Sequence, residues 1–87
     1  MKILIIEDEY NLADAISSML KSKKYKVEIR TDGEEGLEEA LTDIYDLIIL
    51  DVMLPHRNGF DILKELKKEN ITAKILMWYF FTKNCLY

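Results

Sequence analysis

Three acidic positions stand where apolar runs stop. Residues 2–6 read KILII and are followed at once by Glu7 and Asp8, while residues 47–50 read LIIL and are followed by Asp51. A carboxylate at the margin of an apolar core costs several kcal/mol unless it is solvated, paired or bound to a cation. If the two runs are neighbours in one sheet, the three carboxylates converge and repel one another, so something must offset them. Oxygen-only ligands of this kind suit Mg2+, which prefers octahedral geometry, keeps several waters and takes one or two carboxylates together with a phosphate oxygen. A second reading uses the same letters. Glu7, Asp8 and Glu9 can simply favour the positive N-terminus of a following helix, with Asp51 a solvated strand end. Spacing alone leaves both open.

The elements that would position these acids follow from periodicity. KILII is a continuous β-branched and apolar run, the pattern of a strand covered on both faces, and Asp46 to Leu50 (DLIIL) is a second one. Leu12, Ala15, Ile16, Met19 and Leu20 recur at helical spacing after Asn11, a candidate N-cap. Residues 25–30 (YKVEIR) alternate and read as a half-covered strand near a sheet edge. Thr31 and Glu34 have capping-box spacing ahead of Leu37, Ala40 and Leu41, which predicts a second helix. Beyond the Pro55 and Asn58-Gly59 turn, Phe60, Ile62, Leu63 and Leu66 form the apolar side of a third helix that ends near Asn70. A last strand begins near Lys74. The order β-α-β-α-β-α-β predicts right-handed crossovers to a parallel sheet, and in such sheets ligands sit outside the carboxyl ends of the strands.

Composition narrows the function classes. The chain has 87 residues, enough for one small domain, and its formal net charge of −4 argues against nucleic acid as a partner. Lys21, Lys23, Lys24 and Lys26 cluster where a helix ends, where cations offset the helix dipole. One cysteine, Cys85, and one histidine, His56, make neither a disulfide nor a zinc constellation, and His56 is assigned no role. No apolar run approaches a membrane span or a signal-peptide core, so no membrane association and cytoplasmic residence are the expectations.

The segments "KILIIEDEYN", "DLIILDVMLPHRNGFDIL" and "AKILM", in that order, resemble the receiver domain of two-component response regulators over about residues 1–77. The resemblance implies a flavodoxin-like three-layer α/β/α fold with a parallel sheet. It implies that Asp51 accepts a phosphoryl group from the phosphohistidine of a sensor histidine kinase. It further implies that Glu7, Asp8 and Asp51, with the backbone carbonyl of Met53, hold Mg2+. Such a module is not an enzyme beyond Mg2+-dependent self-phosphorylation from a phosphodonor. A haloacid-dehalogenase reading also uses a strand-terminal Asp, but that motif has a second Asp two residues later, where this chain has Met53.

The remainder departs from the family pattern. A complete receiver has five strands and five helices, whereas this sequence stops after "KILMWYFFTKNCLY", so the fifth strand and the last two helices are expected to be missing, with residues 78–87 an atypical aromatic tail. Where the family places a phosphoryl-binding Thr or Ser, the aligned residue is Tyr79, followed by Phe80. Thr82 and Lys83 read either as relics of an internal deletion or as part of a truncated or frameshifted tail; the lack of helix, turn or linker signals favours the second. An exposed fourth strand with "ILMWYFF" predicts self-association, a homodimer through residues 75–87, and impaired switching. A fragment that assembles with no productive phosphorylation switch is the competing function.

Overall fold

A computed structural model describes residues 1–78. β1 (Lys2–Ile6), α1 (Tyr10–Ser22), β2 (Lys26–Arg30), α2 (Gly33–Ala40), β3 (Leu47–Asp51), α3 (Gly59–Lys68) and β4 (Lys74–Trp78) follow in that order. The four strands are parallel in one sheet of order β2-β1-β3-β4. This is the parallel α/β sheet that the element order predicts and the flavodoxin-like architecture that the resemblance implies. Tyr79, Phe80, Thr82, Lys83 and Cys85, and with them all of the expected tail beyond Trp78, lie outside the described residues.

The alternation of side chains along the strands splits the core between two faces. Leu4, Ile6, Ile48 and Leu50 pack with Leu37 and Ala40 of α2 and with Ile62 and Leu66 of α3. Ile3, Ile5 and Ile49 face the other way, against Ala13 of α1. The middle strands are thus covered on both sides, which is why they read as unbroken apolar runs. β2, read from its alternation as lying near an edge, is an edge.

Local differences from the sequence reading have physical causes. α1 starts at Tyr10 and is capped by Glu9, whose carboxylate accepts from the Asn11 N–H at 3.1 Å, so Asn11 lies inside the helix. α2 is capped by Asp32, which accepts from the Glu35 N–H at 3.0 Å. The cap thus falls one residue after the predicted Thr31, and Asp is the stronger N-cap. α1 turns Leu12, Ala13, Ile16, Ser17 and Leu20 inward and leaves Ala15 and Met19 exposed. Ala13 and Ser17, one turn apart and small, are its buried residues. Asn70, just past α3, takes φ 56°, the left-handed conformation that Asn tolerates at a helix end.

Candidate phosphoacceptor and metal site

The strand register assembles the acids. Ile6 of β1 lies beside Leu50 of β3, so the next residues, Glu7 and Asp51, leave the sheet side by side. Glu7, Asp8 and Asp51 each offer a carboxylate oxygen, and these atoms all lie within 4.8 Å of one another. Glu7 and Asp51 are 0% exposed, while Asp8 keeps access to solvent. Asp51 is the last residue of β3, one position inside the strand rather than after it.

Backbone donors hold the two buried acids in place. Glu7 Oε2 accepts from the Glu9 N–H at 2.8 Å, and Asp51 Oδ1 accepts from the Met53 N–H at 3.0 Å. Such bonds to ionised groups are worth more than neutral ones and favour the charged carboxylate. Each satisfies one carboxylate oxygen of its acid. All donors in this cluster are hard oxygens, one edge of it is open to water, and the fit to an Mg2+-sized hard cation is good.

The β3–α3 connection is built to keep this end of β3 fixed. The Gly59 N–H donates to the Val52 carbonyl at 3.0 Å and the Val52 N–H donates to the Trp78 carbonyl at 2.8 Å, which ties the connection to both α3 and β4. At Gly59 a Cβ would stand 2.3 Å from the Asp51 carbonyl oxygen and 2.9 Å from the Val52 Cα, so backbone passes where no side chain fits. Asn58 caps α3, its side chain accepting from the Phe60 N–H at 2.6 Å. Met53, expected to contribute only its backbone, points its side chain outward with 42% exposure.

Sequence reading did not anticipate two neighbours of the site. Trp78 lies level with Asp51 across the β3–β4 pair. Arg57, from the same connection, donates to Glu34 of α2 at 2.7 Å, while His56 lies 3.9 Å from Asp32. Arg57 and Glu34 are 23 positions apart, and no local pattern links them. The fold brings Glu7, Asp8 and Asp51 together, with the Met53 N–H on Asp51, and leaves His56 exposed.

A parallel α/β sheet whose two central strands lead into a cluster of three carboxylates is the architecture of a receiver domain. The family model of the response regulator receiver domain matches residues 3–83, and the chain belongs to that family. It is 42% identical over 76 residues to the transcriptional regulatory protein DltR of Streptococcus agalactiae and 47% identical over 76 residues to the response regulator ArlR of Staphylococcus saprophyticus. Each match covers 87% of this chain and 34% of the relative. The chain therefore spans about a third of the length of these relatives. Among solved structures, the response regulator TrrA of Thermotoga maritima in complex with Mg(2+)-BeF superposes with a TM-score of 0.84 at 28% identity, over 98% of this chain and 75% of that one. A Francisella response regulator receiver domain superposes with a TM-score of 0.84 at 29% identity, over 90% of this chain and 64% of that one.

Proposed function

We propose that this chain is a phosphoacceptor: Asp51 takes a phosphoryl group from the phosphohistidine of a sensor histidine kinase. The observation that carries this reading is the convergence of Glu7 and Asp8 on Asp51 at the carboxyl end of the sheet. A carboxylate oxygen of Asp51 attacks phosphorus, an O–P bond forms, and the P–N bond to the kinase imidazole breaks with its electron pair leaving on nitrogen. The product is an acyl phosphate on the receiver itself, so the chain is a stoichiometric acceptor rather than a turnover enzyme. Glu7, Asp8, Asp51 and the Met53 carbonyl would hold Mg2+, which when bound neutralises charge on the transferring phosphoryl oxygens. The residues of the chain do the rest. The Met53 N–H fixes one Asp51 oxygen, and the packing of Gly59 against the Asp51 backbone keeps the nucleophile from swinging away.

The likeness to a receiver solved with Mg(2+)-BeF supports this assignment, as do relatives named as response regulators. Among the described residues no helix is long and apolar enough to cross a membrane. Tyr79 and Phe80 in place of small hydroxyl-bearing and small residues are the basis for expecting a weakened switch. A second reading, self-association through the last strand, is favoured by the position of β4 at the sheet edge with Leu76 54% exposed.

Intact-mass spectrometry after incubation with Mg2+ and acetyl phosphate tests the acceptor. One phosphoryl adduct is expected, absent in Asp51→Asn and absent with a chelator. A folded protein that never gains the adduct, or an adduct that survives Asp51→Asn, would sink the assignment.

A further inference from the structure

We propose that two copies of this chain pair their β4 strands antiparallel about a two-fold axis through Leu76, joining two four-stranded sheets into one of eight. The inference deepens the self-association reading and is independent of acceptor chemistry at Asp51.

The hydrogen-bond ladder sets the register. The Lys74 N–H donates to the Asp46 carbonyl and the Trp78 carbonyl accepts from Val52, so residues 74, 76 and 78 direct their backbone groups inward to β3. Alternation then sends the N–H and C=O of Ile75 and Met77 outward, at the edge of the sheet. An antiparallel partner satisfies four outward groups on each copy only if Ile75 and Met77 of opposite copies exchange both bonds. That register places Leu76 directly opposite Leu76 as a non-hydrogen-bonded pair, the closest kind of cross-strand contact.

Side-chain chemistry agrees with this geometry. Leu76, exposed on the α1 side, meets its own copy, and Lys74 stands across from Trp78, so no like charges oppose. On the other face, Ile75 meets Met77 beside a groove of about 390 Å³ between α3 and β4, lined by Leu63, Leu66, Ile71, Ala73, Ile75 and Met77, with Lys67 the one charged residue in its lining. Met, flexible and polarisable, can fill such a groove.

The opposite edge shows why a second copy selects β4. In β2 the Lys26 N–H donates to Met1 and the Arg30 carbonyl accepts from Glu7, so Val27 and Ile29 direct their backbone groups outward. The equivalent two-fold register would set Glu28 against Glu28 and Lys26 against Arg30, like charges at every opposed position on that face. β2 repels its own copy, and β4 complements it. Five residues a side is far below the ~20–30 of a standard interface, so the dimer should be weak and exchange rapidly, with dissociation in the high-micromolar range.

Sedimentation velocity on the 87-residue chain across a concentration series is the test, with far-UV circular dichroism to confirm folding. Wild type should pass from monomer to dimer, and Leu76→Lys and Leu76→Glu, each placing like charges across the axis, should each weaken association at least ~10-fold. Mixing the two variants should restore a heterodimer, which only a register with residue 76 opposite residue 76 explains. A wild type that stays monomeric at millimolar concentration would overturn the proposal. So would variants that dimerise as wild type does, since the contact would then lie elsewhere, or a mixture that fails to associate. Acetyl phosphate labelling of the same samples reads Asp51 separately: labelled monomers would overturn the pairing alone, and unlabelled dimers would overturn only the acceptor assignment.

Discussion

β1 and β3, the middle strands, are unbroken apolar runs that lead into buried acids, whereas β2 and β4, the outer strands, share an alternating exposure pattern and end on Arg30 and Trp78. The difference follows from cover. A strand with helices on both faces has no position for a charge except at its end, and there the fold collects Glu7, Asp8 and Asp51. An outer strand is half-covered, so its exposed positions decide how the edge behaves. Lys26 and Glu28 protect one edge, and Leu76 leaves the other open to a like strand. The acid cluster and the exposed Leu76 edge thus lie at different places in the four-stranded sheet of the described residues.

The sharpest way to break the middle of this arrangement is Gly59→Ala. A Cβ 2.3 Å from the Asp51 carbonyl oxygen meets backbone that cannot yield, so a loss of about 3 kcal/mol or more is expected, read as a lowered urea midpoint. At Gly36 a Cβ would stand 2.6 Å from Cγ2 of the fully buried Ile6, so Gly36→Ala should also cost stability, through side-chain rather than backbone crowding. The contrast between the two isolates backbone crowding at the site from ordinary packing.

Asp8→Asn tests the acid cluster without disturbing the core, because Asp8 keeps solvent access. Mg2+ affinity measured by titration calorimetry should fall at least ~10-fold, which is about 1.4 kcal/mol. An unchanged affinity would mean that the three acids do not act together.

Further from the site, Tyr45 donates to Glu39 at 2.6 Å beneath the sheet, and Arg30 at the end of β2 approaches the same carboxylate at 3.3 Å. The hydrogen bond from Tyr45, with Arg30 adding to it, holds the Glu39 carboxyl below its ordinary range, while burial and then Glu39 push the Tyr45 phenol up. A carboxyl depressed in the folded state contributes stability above its unfolded pKa and loses it as pH falls below about 4.3. Tyr45→Phe should therefore cost about 1 kcal/mol at neutral pH, modest because the Glu39 side chain is a quarter exposed, and the gap to wild type should narrow in acid. Denaturation at pH 7 and pH 3 measures both. Smallest of all, Glu34→Gln removes the charge from the half-exposed pair with Arg57 and should change stability by no more than about 0.5 kcal/mol.

How far the sequence could be read follows the same division. KILII and LIIL announce covered strands because no polar residue interrupts them, and YKVEIR announces an edge because its charges alternate. The acids could be named as a cluster once β1 and β3 were taken as neighbours, a pairing the register bears out. Caps moved by one or two residues because Glu9 competes with Asn11 and Asp32 with Thr31, choices that turn on backbone angles a linear pattern does not carry. Helical spacing alone does not place Ala15 and Met19 outside, because the positions of α1 closest to the sheet are taken by the small residues Ala13 and Ser17, one of them polar. Trp78 beside Asp51, and Arg57 on Glu34, depend on strand order and loop path, which leave no trace in local spacing.

The most direct test of the central claim is to locate the phosphoryl group. After acetyl phosphate labelling with Mg2+, borohydride reduces an acyl phosphate to the alcohol, which turns a modified aspartate into homoserine that peptide mapping can place. Homoserine at position 51, and unmodified Glu7 and Asp8, is the result this account predicts. Reduction at position 7 or 8, or none in folded and metal-loaded protein, would contradict it.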